Sequence, residues 1–134
     1  MNVSGQYRTI TVRKEGAVDW LTLNRPEAFN AIDLTMATEL KTYFSDLMED
    51  LETRIVVLGG AGKAFCAGLD ITFGAQHLNA PSEQIAGGGW GFQGYLASVY
   101  VMMRRIPQPV ISLVHGAACG GGFALALASD VRLA

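Results

Sequence analysis

The stretch PVISLVHGAACGGGFALALASDVRLA, residues 109–134, decides how the rest of the chain is read. Val110 to Val114 is a short continuous apolar run, the pattern of a strand buried on both faces. Gly116 to Gly120 reads as a turn and Gly121 to Ser129 as a helix of small residues. Asp130-Val131-Arg132-Leu133 then opens another strand. Strand, helix and strand in close succession make a parallel crossover, so the segment predicts an α/β fold.

Working outward, the same alternation recurs. Tyr7 to Arg13 and Ala17 to Leu23 are β-rich runs parted by Glu15-Gly16, which predicts a hairpin. Pro26 ends the second run because proline cannot donate to a ladder. Asp33 is placed to cap a helix reaching about Leu51, with Leu34, Ala37, Leu40, Phe44, Leu47, Met48 and Leu51 forming one apolar stripe. Ile55 to Leu58 reads as another doubly buried strand, followed by a loop to Gly68 and a short helix from about Leu69. Pro81 and five glycines between Asn79 and Gly94 predict a mobile connection. Helical spacing returns from Phe92 to Ile106 and stops at Pro107. The last strand begins where the chain stops, so the core is expected to lack its final cover. No internal repeat stands out.

The totals exclude several classes of function. The chain has 134 residues, 50% hydrophobic and 16% charged, with a formal net charge of −2, which suits a packed core of one small domain. Ten scattered Lys and Arg leave no basic footprint for nucleic acid or an acidic membrane. The first residues lack the basic patch and apolar run of a signal peptide. Val110 to Ala128 is interrupted by Ser112, His115 and a glycine triplet, as a buried strand and helix would be and a membrane span would not. Two cysteines are too few for a disulfide framework, so Cys66 and Cys119 are expected to be reduced thiols in the cytoplasm.

Two glycine-rich segments carry the chemistry: Gly62 to Ile71 and His115 to Ala124. Each follows a buried strand and leads into a helix, whose first N–H groups lack intrahelical partners and carry partial positive charge. Glycine lets a ligand approach such a backbone closely. Side by side, the loops would aim two N–H donors at one oxygen, as in an oxyanion hole. The alternative is a pair of tight turns whose small residues serve packing alone. Nucleotide motifs fail here. Around the Gly62-Lys63 pair, Val57 stands where a phosphate loop needs glycine and Ala64 where it needs a hydroxyl, and Gly116 to Gly121 does not fit G-x-G-x-x-G.

Read together, the segments resemble the crotonase superfamily, also called the enoyl-CoA hydratase/isomerase family. Asn24 to Ala31 looks like its N-R-P-x-x-x-N-A turn, and Phe65 to Ile71 like its F-x-A-G-x-D-[LI] element. Pro109 to Arg132 looks like its P-V-I…G-G-G…D-x-R stretch. The resemblance covers essentially the whole chain and implies a crotonase-like ββα spiral, an α/β fold. Residues 1–134 would be the amino-terminal part of a single acyl-CoA-binding domain, incomplete at the carboxyl end and inactive alone.

The resemblance further implies that the N–H groups of Leu69 and Gly121 are the oxyanion donors. Ala28, Ala67, Gly68, Leu69, Asp70, Ile71, Thr72 and Gly121 would line the site of the CoA thioester. No metal or separate cofactor is implied, coenzyme A being part of the substrate. The expected setting is fatty-acid metabolism, with no nucleic acid or membrane partner and a homotrimer or hexamer for the full-length protein. One departure matters. Hydratases of this family carry Glu three residues after the oxyanion glycine, and here that place is Ala124, which cannot move a proton. Isomerase-like proton transfer is therefore favoured over hydration, with its carboxylate beyond Ala134. A non-catalytic or truncated CoA-thioester-binding relative is the other reading.

Other candidates carry competing readings. Asp70 suits the start of a helix as well as it suits catalysis, and Asp130 suits a turn. Cys66 and Cys119 flank the proposed hole but have no histidine at a pairing distance in sequence, which favours small hydrophobes over nucleophiles. His77 and His115 lack the company of a metal site. Phe92, Tyr95, Tyr100, Met102 and Met103 read either as a core stripe or as the wall of an acyl pocket.

Overall fold

The computed structural model of the chain describes residues 6–72 and 82–134, and only the backbone of 82–90. Strands β1 (Ile10–Glu15) and β2 (Val18–Leu23) form the expected hairpin, followed by a 3-10 turn at Pro26–Ala28 and helix α1 (Leu34–Leu47). Then come β3 (Ile55–Gly60), α2 (Ser82–Arg105), β4 (Val110–Leu113), α3 (Gly121–Ala128) and β5 (Val131–Leu133). The sheet runs in the order β1-β2-β3-β4-β5, antiparallel in the first pair and parallel thereafter. Parallel neighbours place the ends of β3 and β4 on the same edge, so the loops that follow them lie side by side.

Three expectations change. The strands are fully buried on one face only. Val56, Leu58 and Val110 join the core with residues of α1 and α2, whereas Ile55, Val57 and Ile111 on the other face are half-buried. Helix α1 stops at Leu47 rather than Leu51, because the Asp50 carboxylate accepts the N–H groups of Glu52 and Thr53 and offers the backbone a turn instead. Hydrogen bonds from Thr53, its hydroxyl first, hold the Asp50 carboxyl down at about 2.

The third change concerns the expected glycine-rich connection. Residues 79–81 lie outside the described ones, but from Ser82 onward the chain is already helical. Each interior glycine costs a helix about 1 kcal/mol. Further along α2, Phe92, Leu96, Val99, Met103 and Ile106 are buried in the core and anchor the helix, so packing overrides propensity. At the sheet's other end β5 is exposed throughout, with Val131 and Leu133 at 45% and 55%.

Helix α1 begins where expected. The Asp33 side chain accepts the Met36 N–H at 2.8 Å, satisfying one of the orphan donors of the first turn. A feature the sequence did not suggest is Asp19, only 2% exposed within β2. Its carboxylate is paired with Lys14 Nζ at 2.9 Å and accepts the Tyr43 hydroxyl at 2.8 Å. Such a charge is tolerated only when paired and hydrogen-bonded. Burial, reinforced by this carboxylate, pushes the Tyr43 phenol up.

Candidate active site

The site is assembled from three loops held by backbone bonds. In the turn after β2, Phe29 and Asn30 adopt left-handed φ values of 51° and 57°. The buried Asn30 side chain accepts the Arg25 N–H at 2.8 Å. Its amide donates to the carbonyls of Ala61, Ala64 and Phe65 at 2.8, 2.9 and 3.2 Å. One short polar side chain thus fastens the turn to the loop after β3, a role aspartate cannot fill because it has no donor.

That loop, residues 61–70, is gripped on both sides. Cys66 N–H donates to Ala117 O at 3.0 Å, and Cys66 O accepts the Cys119 N–H at 3.0 Å, a parallel bridge to the loop after β4. Further on, Ile32 N–H donates to Gly68 O at 2.7 Å, and Asp70 N–H donates to Ile32 O at 3.0 Å. In extended backbone, neighbouring residues present their polar groups to opposite sides. With Gly68 O and Asp70 N–H both turned to Ile32, the intervening Leu69 N–H faces away from it.

In the loop after β4, Gly120 has φ +49° and serves as the N-cap of α3. Gly122 N–H and Phe123 N–H donate to Cys119 O at 2.8 and 3.4 Å, and Ala124 N–H donates to Gly120 O at 3.0 Å. Gly121 N–H, at the first position of the helix, has no acceptor among the described residues, and neither has Leu69 N–H.

Both residues line one cavity of about 440 Å³. Its wall comprises Ala67, Gly68 and Leu69 from the first loop, Gly120, Gly121 and Ala124 from the second loop and α3, and Gln93, Leu96 and Tyr100 from α2. Of the eight residues expected at the site, Ala67, Gly68, Leu69 and Gly121 are therefore brought together. The other four do not line this cavity. Ala28 sits in the 3-10 turn, Asp70 is tied to Arg25, and Ile71 and Thr72 are exposed at the start of a helical turn. The helix expected from Leu69 starts at Ile71, because Leu69 is held in an extended bridge to Ile32. Of the aromatic and methionine candidates on α2, Tyr100 alone lines this cavity, while Phe92 and Met103 belong to the core. Gln93 and Leu96 went unnoticed, although the spacing i, i+3, i+7 to Tyr100 places all three on one helix face.

Asp70 is occupied by structure. Its carboxylate is 3.0 Å from Arg25 Nη2 and accepts the Thr72 N–H at 2.8 Å. Desolvation pushes this carboxyl up, but the hydrogen bond from Thr72 and the Arg25 guanidinium outweigh it and hold it below its ordinary value. A depressed carboxylate contributes stability above its ordinary pKa and loses it as pH falls through the lowered one. Acid titration should therefore show the advantage of the native chain over Asp70→Asn shrinking below about pH 4. An advantage that persists unchanged into stronger acid would remove the ion pair from the account.

The two cysteines differ sharply. Burial pushes the Cys66 thiol up to about 11, and its Sγ donates to Asn30 O at 3.1 Å. Cys119 is exposed. Alkylation by iodoacetamide at pH 8 should reach Cys119 first, with native Cys66 roughly a hundredfold slower, because the thiolate is the reactive form. Equal rates by peptide mass spectrometry would contradict that difference. His115 is exposed, with its ring Nε2 2.7 Å from Gly62 O, and His77 lies outside the described residues. Asp130 accepts the Val110 N–H at 2.8 Å and the Arg104 guanidinium at 2.9 Å, linking β4 to the end of α2.

A mainly parallel sheet whose strand-to-helix loops close on one backbone-lined cavity defines an α/β protein with a cavity at the strand ends, the place where open α/β sheets bind ligands. The chain belongs to the enoyl-CoA hydratase/isomerase family, whose sequence model matches residues 13–134. It is 40% identical over 119 residues to the probable enoyl-CoA hydratase echA12 of Mycobacterium leprae, covering 85% of this chain and 39% of that protein. It is 33% identical over 114 residues to the mitochondrial Delta(3,5)-Delta(2,4)-dienoyl-CoA isomerase of Rattus norvegicus, covering 82% of this chain and 35% of that one. The crystal structure of an enoyl-CoA hydratase/isomerase from Marinobacter aquaeolei superposes with a TM-score of 0.85 at 34% identity, covering 92% of this chain and 47% of that one. The chain thus spans less than half the length of these relatives. No described helix is long and apolar enough to cross a membrane.

Proposed function

We propose that this chain supplies the acyl-thioester site of an acyl-CoA-processing enzyme, with the thioester oxygen held between the N–H groups of Leu69 and Gly121. One observation carries the reading: both residues line the same cavity, and neither amide has an acceptor among the described residues. Donors already in place stabilise the negative charge that grows on a thioester carbonyl as its α-proton leaves, at no cost in reorganisation. Ala124 on the cavity wall favours proton transfer of the isomerase kind over hydration, because a methyl group can neither activate water nor protonate carbon. The reading needs no metal or cofactor beyond the coenzyme A of the substrate. It places the full-length protein in the cytoplasm as a trimer or hexamer, in keeping with the family resemblance and the two unpaired cysteines.

A non-catalytic thioester-binding role is the second reading. It is favoured by the absence of any carboxylate, histidine or lysine among the described residues of the cavity wall. Deuterium uptake at C2 of a saturated acyl-CoA, followed by NMR with the full-length gene product in heavy water, separates the two. Exchange is expected together with conversion of a 3-enoyl to a 2-enoyl thioester and no addition of water to crotonyl-CoA. Binding without exchange would leave the non-catalytic role, and absence of binding would overturn both.

A further inference from the structure

The two N–H groups at the cavity belong to different kinds of backbone. Gly121 opens α3, and the aligned peptides of a helix favour negative charge at its start. The carbonyl of its own peptide, Gly120 O, accepts the Ala124 N–H at 3.0 Å. Leu69 sits instead in an extended bridge to Ile32, so a comparable field must come from elsewhere.

One source can be traced through the hydrogen bonds. A trans peptide points its C=O and its N–H in opposite directions. In the peptide joining Gly68 to Leu69, Gly68 O accepts the Ile32 N–H at 2.7 Å, which aims the Leu69 N–H away from Ile32. In the peptide joining Ala31 to Ile32, Ala31 O accepts an N–H of the Arg25 guanidinium at 2.6 Å. A cation thus stands at the head of two peptides in series, and the last group of the series is Leu69 N–H. Each bond in such a chain polarises the next. Ala31 and Ile32 are buried, so water screens the chain little. The guanidinium is pinned in turn, with Nη2 3.0 Å from Asp70 and Nη1 3.7 Å from Asp33. These carboxylates offset part of its field but hold its planar fork on Ala31 O. Arg25 has no place in the described wall of the cavity, so its influence runs through the backbone.

We propose that Arg25 is a positioning residue, aiming and polarising the Leu69 donor through the Ala31-Ile32 and Gly68-Leu69 peptides. This rests on the cavity being the acyl-thioester site. Two readouts on the full-length gene product test it: steady-state kinetics with a 3-enoyl thioester, and the infrared carbonyl stretch of bound butyryl-CoA, isotope-labelled at its carbonyl. Arg25→Met should lower kcat by about 10-fold, less than the loss of a whole donor, because Leu69 N–H remains but is weaker. KM should stay within about twofold, as for an interaction that matters mainly in the transition state. The bound carbonyl stretch, shifted down in the native protein, should move back towards its value in solution. Arg25→Lys keeps the charge but not the fork, and both readouts should fall between native and Arg25→Met. A native stretch in a folded Arg25→Met variant overturns the proposal, as does a rise in KM with kcat unchanged. Should Arg25→Met not fold, a native stretch and native kcat in Arg25→Lys overturn it equally. A native protein that binds butyryl-CoA without shifting its carbonyl stretch removes the oxyanion site itself, whatever the variants do.

Discussion

Gly121→Pro should cut turnover of a 3-enoyl thioester by about 10²–10³-fold, the usual cost of one oxyanion donor. Proline has no N–H, and it is tolerated at the first position of a helix, where that N–H has no intrahelical acceptor. A Cβ at this position would meet the Tyr100 hydroxyl at 3.2 Å, Ile32 Cδ1 at 3.3 Å and Leu96 Cδ2 at 3.5 Å, all ends of side chains that can yield slightly. A donor that matters mainly in the transition state should affect kcat more than substrate binding. Gly121→Ala separates the two ingredients, because it adds the same Cβ but keeps the N–H, and it should lose far less. If proline and alanine were equally damaging in variants that circular dichroism shows to be folded, crowding rather than a missing donor would be responsible. The proposed oxyanion contact would then have to go.

Gly122→Ala should cost about 3 kcal/mol of stability although it adds one methyl group. The new Cβ would stand 2.2 Å from Cys66 O, 2.6 Å from Cys66 Cβ and 2.9 Å from Cys66 C. These atoms cannot retreat cheaply, because Cys66 is bonded on one side to Ala117 O and on the other to Cys119 N–H. The substitution must push α3 away from the first loop or break the bridge between the loops. Gly91→Ala supplies the contrast. Its Cβ would meet nothing within 4 Å on α2, so it should stabilise by about 0.5–1 kcal/mol through helix propensity alone. Urea unfolding midpoints at constant m-value measure both. A loss below about 1 kcal/mol at Gly122 would show that the loops are less tightly fastened than their contacts imply.

The two substitutions differ for a reason that adjacent positions in the sequence do not display. Gly121 and Gly122 read alike in a glycine triplet, yet one turns its Cα towards flexible side chains and the other towards a fixed carbonyl. The family motifs were nevertheless legible, and so was the order of elements. Asn24-Arg25-Pro26 through Asn30-Ala31 marks a turn that Asn30 holds by its side chain. Asp33 caps a helix because carboxylate, position and apolar spacing agree locally.

Where local rules compete with packing, the linear reading fails. Five glycines argued for a connection, but the apolar stripe from Phe92 to Ile106 draws α2 into the core and carries the helix back to Ser82. The type of each element and its place along the chain follow from one-dimensional periodicity, because a strand's alternation and a helix's stripe are properties of neighbours in sequence. The contents of the cavity do not. Leu69, Tyr100 and Gly121 meet because parallel β3 and β4 bring distant loops to one sheet edge and α2 lies against them. Which side chain faces that space depends on crossovers and helix rotation, quantities set by the packing of the whole core.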